Sequence, residues 1–195
     1  MHALLQRRHW IFDLDGTLTV AVHDFAALRQ DLGMRSGAPI LQTLDAMSVE
    51  EAEPLRERVH TWEQNLAVDA RAAEDAVGLL EHLASTGCSL GLLTRNTRST
   101  ADRTLDAAGL AHFFPPAVRL GRGDATPKPS PAGIEQILAT WGASARDAVM
   151  VGDYEYDLSA GRAAGVATVW IDRVGTYDFG HLADITVQRL DDLLK

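Results

Sequence analysis

From about Gly87 onward, short apolar runs alternate with amphipathic segments. The runs CSLGLLT (Cys88–Thr94), AVMVGD (Ala148–Asp153) and VATVWI (Val166–Ile171) are almost continuously apolar. That pattern suits strands covered on both faces, as in a parallel sheet. PAVRLG (Pro116–Gly121) and ADITV (Ala183–Val187) are shorter candidates, and Ile11-Phe12 near the N-terminus reads as the end of another buried strand. Helical patterns fill the intervals. Ser130 is placed to cap a helix whose first position is Pro131 and which Gly142 ends. Ser99 is placed to cap TADRTLDAAG, which Gly109 ends, and AEDAVGLLEHLASTG (Ala73–Gly87) is a longer helix. Strand and helix in alternation predict an α/β fold, a Rossmann-like parallel sheet flanked by helices.

Between about Val22 and Ala70 that rhythm stops. DFAALRQDLG, APILQTLDAM and SVEEAEPLRERVHTWEQNLAV all read as helices, and Ser48 with Glu51 forms a capping box for the last. Pro54 falls inside that pattern, so the helix is expected to kink there or to begin near Glu53. The block is either a lid over the sheet or a set of ordinary flanking helices.

Composition narrows the class. With 195 residues, 46% hydrophobic and 23% charged, the chain suffices for one packed domain with a small insertion. A net charge of -9 argues against nucleic acid as a partner, so an anionic substrate needs local cations or a metal. Cys88 is the single cysteine, which excludes an intrachain disulfide and fits a reducing compartment. The apolar run after Arg7 and Arg8 is cut by Asp13, so neither a signal peptide nor a membrane span is expected. A cytoplasmic protein, a monomer or small homo-oligomer with no membrane partner, is the resulting expectation. The seven histidines lack HxxxH or HExxH spacing, which speaks against zinc. Trp10, Trp62, Trp141 and Trp170 lie in apolar patterns and read as core or interface residues.

Candidate chemistry sits at strand ends, where open parallel sheets bind ligands. Asp13 ends the first strand within DLDGT (Asp13–Thr17), Thr94 ends LGLLT, and Asp153 ends AVMVGD. Lys128 lies in DATPKPSP between Pro127 and Pro129. Facing carboxylates at Asp13 and Asp153 repel unless a hard cation separates them, and Mg2+ suits carboxylates, waters and a phosphate. Backbone N–H groups of the turn, at Leu14 and Gly16, can cradle phosphate oxygens, with Gly16 allowing the tight path and Thr17 supporting it. Thr94 and Lys128 can bind the remaining oxygens. Asp13 is then placed as a nucleophile that forms an aspartyl-phosphate, and Asp15 as the acid that protonates the leaving oxygen and later activates water.

These motifs resemble the haloacid dehalogenase superfamily. DLDGT has the form hhhDxDGT, Thr94 matches the second motif, Lys128 in KPSP the third, and VGDYEYD (Val151–Asp157) the GDxxxD fourth. With AGRAAGV (Ala160–Val166) they resemble the phosphoglycolate phosphatase-like branch, in the family's order and across most of the chain. The resemblance implies a core over residues 1–20 and 71–195 with a small helical cap over 21–70. It also implies that Asp13 and Asp153 ligate Mg2+, that Asp15 ligates it through its carbonyl, and that Asp157 orients Lys128 or metal-bound waters. The implied activity is hydrolysis of a small phosphorylated metabolite, a phosphoglycolate-like phosphomonoester. The alternatives are a β-phosphoglucomutase-like mutase and a non-catalytic phosphate-binding regulator. Dehalogenation is disfavoured, because those relatives lack the aspartate at the Asp15 position. Asp157 alone also reads as the N-cap of LSAGRAAG.

The chain departs from the family pattern at Tyr154, where relatives often carry a small polar residue. Arg95 follows the phosphate-binding Thr94, and Arg35 lies in GMRSG (Gly33–Gly37), the most loop-like part of the insertion. Both are candidates to reach substrate.

Overall fold

The computed structural model describes residues 3–22 and 24–195. Six strands form one parallel sheet: β1 (His9–Phe12), β2 (Ser89–Thr97), β3 (Arg119–Arg122), β4 (Ala148–Gly152), β5 (Ala167–Ile171) and β6 (Ile185–Val187). Their order is β3-β2-β1-β4-β5-β6. The chain therefore winds outward from β1 through β2 to β3, crosses back to β4, and winds the other way to β6. This is a Rossmann-like sheet, and its order reverses between β1 and β4. A crevice opens at such a point beyond the carboxyl ends of the strands.

Alternation along the strands divides the core into two layers. Trp10, Phe12, Val149, Val151 and Val169 pack on one face with Leu79, Leu83 and Phe114. Ile11, Met150 and Leu93 pack on the other with Ile134 and Ile137. The first layer is covered by α4 (Glu74–Ser85) and α5 (Arg98–Ala107), the second by α6 (Ala132–Trp141) and α7 (Glu155–Ala164). Both sheet faces are thus buried, which explains why the central strands read as unbroken apolar runs.

Between β1 and α4 lie α1 (Phe25–Asp31), α2 (Ile40–Asp45) and α3 (Val49–Val68). They bury a cluster of their own from Leu28, Leu32, Ile40, Leu44 and Val59. The Asp24 side chain caps α1 by accepting the Ala27 N–H. The Ser48/Glu51 capping box is formed as expected. α3 starts at Val49 and continues through Pro54. The missing N–H of Pro54 forfeits one bond near the start of a long helix whose first turn the box already fixes.

Four boundaries differ from expectation. β2 runs to Thr97, so Thr97 and not Ser99 caps α5, accepting the Thr100 N–H at 3.3 Å. α7 begins at Glu155, so Asp157 lies inside its first turn, where its Oδ2 accepts the Tyr154 N–H at 3.1 Å. PAVRLG divides into a 3-10 turn (Pro116–Val118) and β3. α6 begins at Ala132 with Pro131 at its N-cap, so Pro131 is not the first helical position; Ser130 Oγ still accepts the Ala132 N–H, and Gly142 ends α6 in the left-handed conformation as expected. Among the described residues, no helix is long and apolar enough to cross a membrane.

Candidate active site

Asp13 directly follows β1 and is tied to its neighbour strand, its N–H donating to the Val151 carbonyl at 2.9 Å. Its carboxylate is buried, with the residue only 8% exposed. Lys128, 4% exposed, approaches from the loop ahead of α6. Its Nζ lies 2.5 Å from Asp13 Oδ1, 2.6 Å from Asp157 Oδ1 and 2.8 Å from the Leu93 carbonyl. The ammonium donates hydrogen bonds to Asp13 and to the Leu93 carbonyl and forms an ion pair with Asp157.

Asp153 follows β4 and completes the group. Carboxylate oxygens of Asp13, Asp153 and Asp157 lie within 4.8 Å of one another. Close approach of the DLDGT turn to Asp153 requires Gly16, whose φ is 81° and whose replacement by any larger residue would drive a Cβ into the Asp153 carboxylate. Gly152 is likewise closed against Asp157. Electrostatics follow from this crowding. Burial pushes the Asp13 carboxyl well above its ordinary pKa; Lys128 opposes the shift, and Asp157, Asp153 and Asp15 add to it. Burial, then the Asp157 charge, raises Asp153 to about 7. For Lys128, burial works against the charge, but Asp13 and Asp157 outweigh it and hold the ammonium above its usual value. Three carboxylates thus share one ammonium, an uncompensated negative charge that a hard divalent cation fits.

Asp15 is half-buried, and its Oδ2 accepts a hydrogen bond from Asn96 Nδ2 at 2.7 Å. Thr94 is buried beside it, its Oγ1 accepting the Asn96 N–H at 3.2 Å. Over these residues lies a cavity of about 400 Å³, walled on the other side by the inserted helices. Asp13, Asp15, Thr94, Arg95, Lys128, Asp153 and Asp157 all line it. Arg95 donates to Gln42 Oε1 of α2 at 3.2 Å and lies 4.7 Å above the Tyr156 ring. Tyr154 also faces the cavity, packed edge-on against Tyr156.

Other expected positions fall differently. Arg35 is exposed and is not part of the cavity wall; Arg29 of α1 occupies it instead. The Gly16 N–H is committed to the Thr19 carbonyl at 3.1 Å. The Leu14 side chain lies in the core, so this residue can meet a ligand only through its backbone. Thr17 is fully buried, and its carbonyl is held by Arg173.

Arg173 was not evident from the sequence. It lies just beyond β5 and donates to the carbonyls of Gly16 at 3.1 Å and Thr17 at 2.9 Å. It also grips Asp75 of α4 through both carboxylate oxygens, and Asp75 in turn accepts the Leu190 N–H. The DLDGT turn is therefore clamped from behind. Asn96 and the ion pair of Glu63 (α3) with Arg122 (β3) at 2.9 Å were missed as well. Asn96 stands two residues past Thr94, a position that could have suggested it. Arg173 and Glu63 carry no local signal.

Residues 10–171 match the family model for haloacid dehalogenase-like hydrolases. The chain belongs to this family. It is 30% identical over 188 residues to a phosphoglycolate phosphatase of Rhodospirillum rubrum, covering 82% of this chain and 77% of the relative. It is 26% identical to the pyrophosphatase PpaX of Bacillus velezensis, covering 94% and 93%. A hydrolase structure from Pseudomonas syringae superposes with a TM-score of 0.79 at 26% identity, over 96% of both chains. The protein is thus an enzyme of a hydrolase family, several of whose members similar to it are named as phosphatases.

Proposed function

We propose that this enzyme is a Mg2+-dependent phosphatase that hydrolyses a small phosphate ester through an aspartyl-phosphate on Asp13. The observation that carries the reading is the placement of buried Asp13 at the reversal of strand order, 2.5 Å from Lys128 and grouped with Asp153 and Asp157. Asp13, Asp153 and the Asp15 carbonyl would hold Mg2+. The bound ion would supply positive charge at the phosphoryl oxygens, lessening repulsion of an incoming carboxylate.

The chain's own residues do the rest. Thr94 Oγ1, Lys128 Nζ and the Leu14 N–H bind phosphoryl oxygens. An Asp13 oxygen attacks phosphorus, the ester P–O bond breaks, and the Asp15 carboxyl gives its proton to the departing alkoxide. Asp15, now ionised, takes a proton from water as that water attacks phosphorus, and the Asp13–phosphorus linkage breaks to give orthophosphate. The Asn96 amide fixes the Asp15 carboxyl for both transfers. Asp157 holds Lys128 in place from the far side. The helices within 21–70 act as a cap that keeps bulk water from the reacting group, over a core formed by 1–20 and 71–195.

Purified protein with Mg2+ should release p-nitrophenol from p-nitrophenyl phosphate. Asp13→Asn should abolish this, and EDTA should stop it reversibly. Turnover by Asp13→Asn would exclude the nucleophile, and full activity in EDTA would exclude the metal.

A further inference from the structure

Two arginines stand in the cavity wall with only neutral partners. Arg95 follows Thr94 in β2, and consecutive residues of a regular strand point to opposite faces. Here the pairing with β3 slips: Leu93 pairs with Leu120 and Thr97 with Arg122, so four steps along β2 match two along β3. A bulge of this kind re-aims side chains, and Thr94 and Arg95 both line the cavity. The Arg95 guanidinium lies 4.7 Å from the centre of the Tyr156 ring. That contact uses the face of the group and leaves its in-plane N–H bonds for acceptors. One goes to Gln42 Oε1 of α2 at 3.2 Å, while Nε is buried with no hydrogen-bond partner. A buried unpaired donor costs free energy that an incoming acceptor recovers. Arg29 of α1 lines the same cavity and donates to the Ala38 carbonyl at 2.7 Å and the Phe25 carbonyl at 3.2 Å.

Because these acceptors are neutral, both arginines keep a full positive charge. Both charges act on the Tyr154 phenol: burial and Glu155 push its pKa up, and Arg29 and Arg95 pull it down. The two guanidinium groups therefore lie within electrostatic reach of one point of the wall. Carboxylates nearby are committed elsewhere. Asp13 and Asp157 pair with Lys128, and Glu63 pairs with Arg122. In a chain of net charge -9, two such cations beside a cavity of about 400 Å³ concentrate positive potential where a ligand would lie.

We propose that Arg95 and Arg29 form a second anion subsite, so that the substrate is a phosphate ester whose alcohol portion carries a carboxylate or a further phosphate. This rests on the phosphatase reading and narrows it. The arginines hold the end of the substrate that does not react, and the bond broken remains the ester P–O bond. A planar guanidinium with a free edge suits either anion, since both present paired oxygens to its N–H groups.

The test measures phosphate release by the full-length protein with saturating Mg2+ from two matched pairs of esters and from p-nitrophenyl phosphate. In the first pair, 3-phosphoglycerate and glycerol 3-phosphate differ only in a carboxylate against a hydroxymethyl group. In the second, fructose 1,6-bisphosphate and fructose 6-phosphate differ by one phosphate. The doubly anionic member of at least one pair should have a kcat/KM about tenfold or more above its partner, the size of a charge-assisted hydrogen bond. The pair that shows the ratio identifies the anion as carboxylate or phosphate. Arg95→Gln and Arg29→Gln should each shrink that ratio towards one. Arg95→Lys, which keeps a charge but not the fork, should leave an intermediate ratio. Ratios near one in both pairs overturn this inference alone. So does a ratio that survives either glutamine substitution, because an arginine holding the transferred phosphoryl group would weaken both members equally. Release from none of the esters overturns the phosphatase reading and the inference with it.

Discussion

Replacing Arg173 by methionine keeps the apolar stem of the side chain and removes the guanidinium, a direct probe of the clamp behind the DLDGT turn. The substitution deletes two hydrogen bonds to Asp75 and one each to the carbonyls of Gly16 and Thr17. Asp75 is left with the Leu190 N–H at 2.6 Å, and its side chain is only 2% exposed. Removing one partner of a buried ion pair costs roughly 3–5 kcal/mol. The Arg173 side chain is 32% exposed, so solvent relieves part of the loss and the lower end, about 3 kcal/mol, applies. For a chain of this length each kcal/mol moves Tm by roughly 2–4 °C, giving a fall of roughly 6–12 °C. Calorimetric melts of Arg173→Met, Asp75→Asn and the double variant measure it. Asp75→Asn removes the stranded charge, so the double variant should lose at least about 1 kcal/mol less than the two single losses combined. Arg173→Lys should recover little, because an ammonium cannot reproduce the guanidinium fork. A Tm within about 1 °C of the wild type for Arg173→Met, or strict additivity in the cycle, would refute the clamp.

The remaining predictions concern charge and capping. Because burial and the Asp157 charge raise the Asp153 carboxyl to about 7, the folded protein binds that proton more tightly than the unfolded chain does. The associated stability is complete below the ordinary carboxylate pKa and is lost as pH rises through about 7. Metal-free protein should therefore melt higher at about pH 6 than at about pH 8, and Asp153→Asn should reduce the difference, the buried Asp13 carboxyl, also raised, keeping the rest; an unchanged slope in that variant would exclude Asp153 as a contributor. Thr97→Ala should cost about 1 kcal/mol through the lost α5 cap, while Ser99→Ala stays within about 0.5 kcal/mol in denaturant unfolding. The opposite ranking would mean that the helix begins later in solution.

Legibility in the sequence followed the range over which a residue's role is decided. β1, β2, β4 and β5 announced themselves because strands covered on both faces need unbroken apolar runs. Asp13, Lys128 and Asp153 could be paired because each lies at a strand end or in a stiff loop that sheet order brings together; Thr94 joins them from within β2, three residues before its end. Asp157 was recognised by its spacing from Asp153, although its place within α7 depended on where that helix starts. Arg173 could not be found this way. Its acceptors stand about one hundred to one hundred and sixty residues earlier in the chain. Arg35 and Arg29 illustrate the same limit: which arginine faces the cavity depends on how α1, α2 and α3 pack their few buried apolar residues. Thr97 was displaced by a strand that runs three residues past Thr94.

Lys128 Nζ donates to Asp13 Oδ1 and the Leu93 carbonyl and pairs with Asp157 Oδ1. On the proposed reading, a phosphoryl oxygen at that ammonium exchanges with, or shares, an acceptor the protein already supplies. The free energy gained there is a difference between two anionic partners, not the whole strength of one. On the same reading, orthophosphate leaving Lys128 returns the ammonium to acceptors that the protein itself supplies.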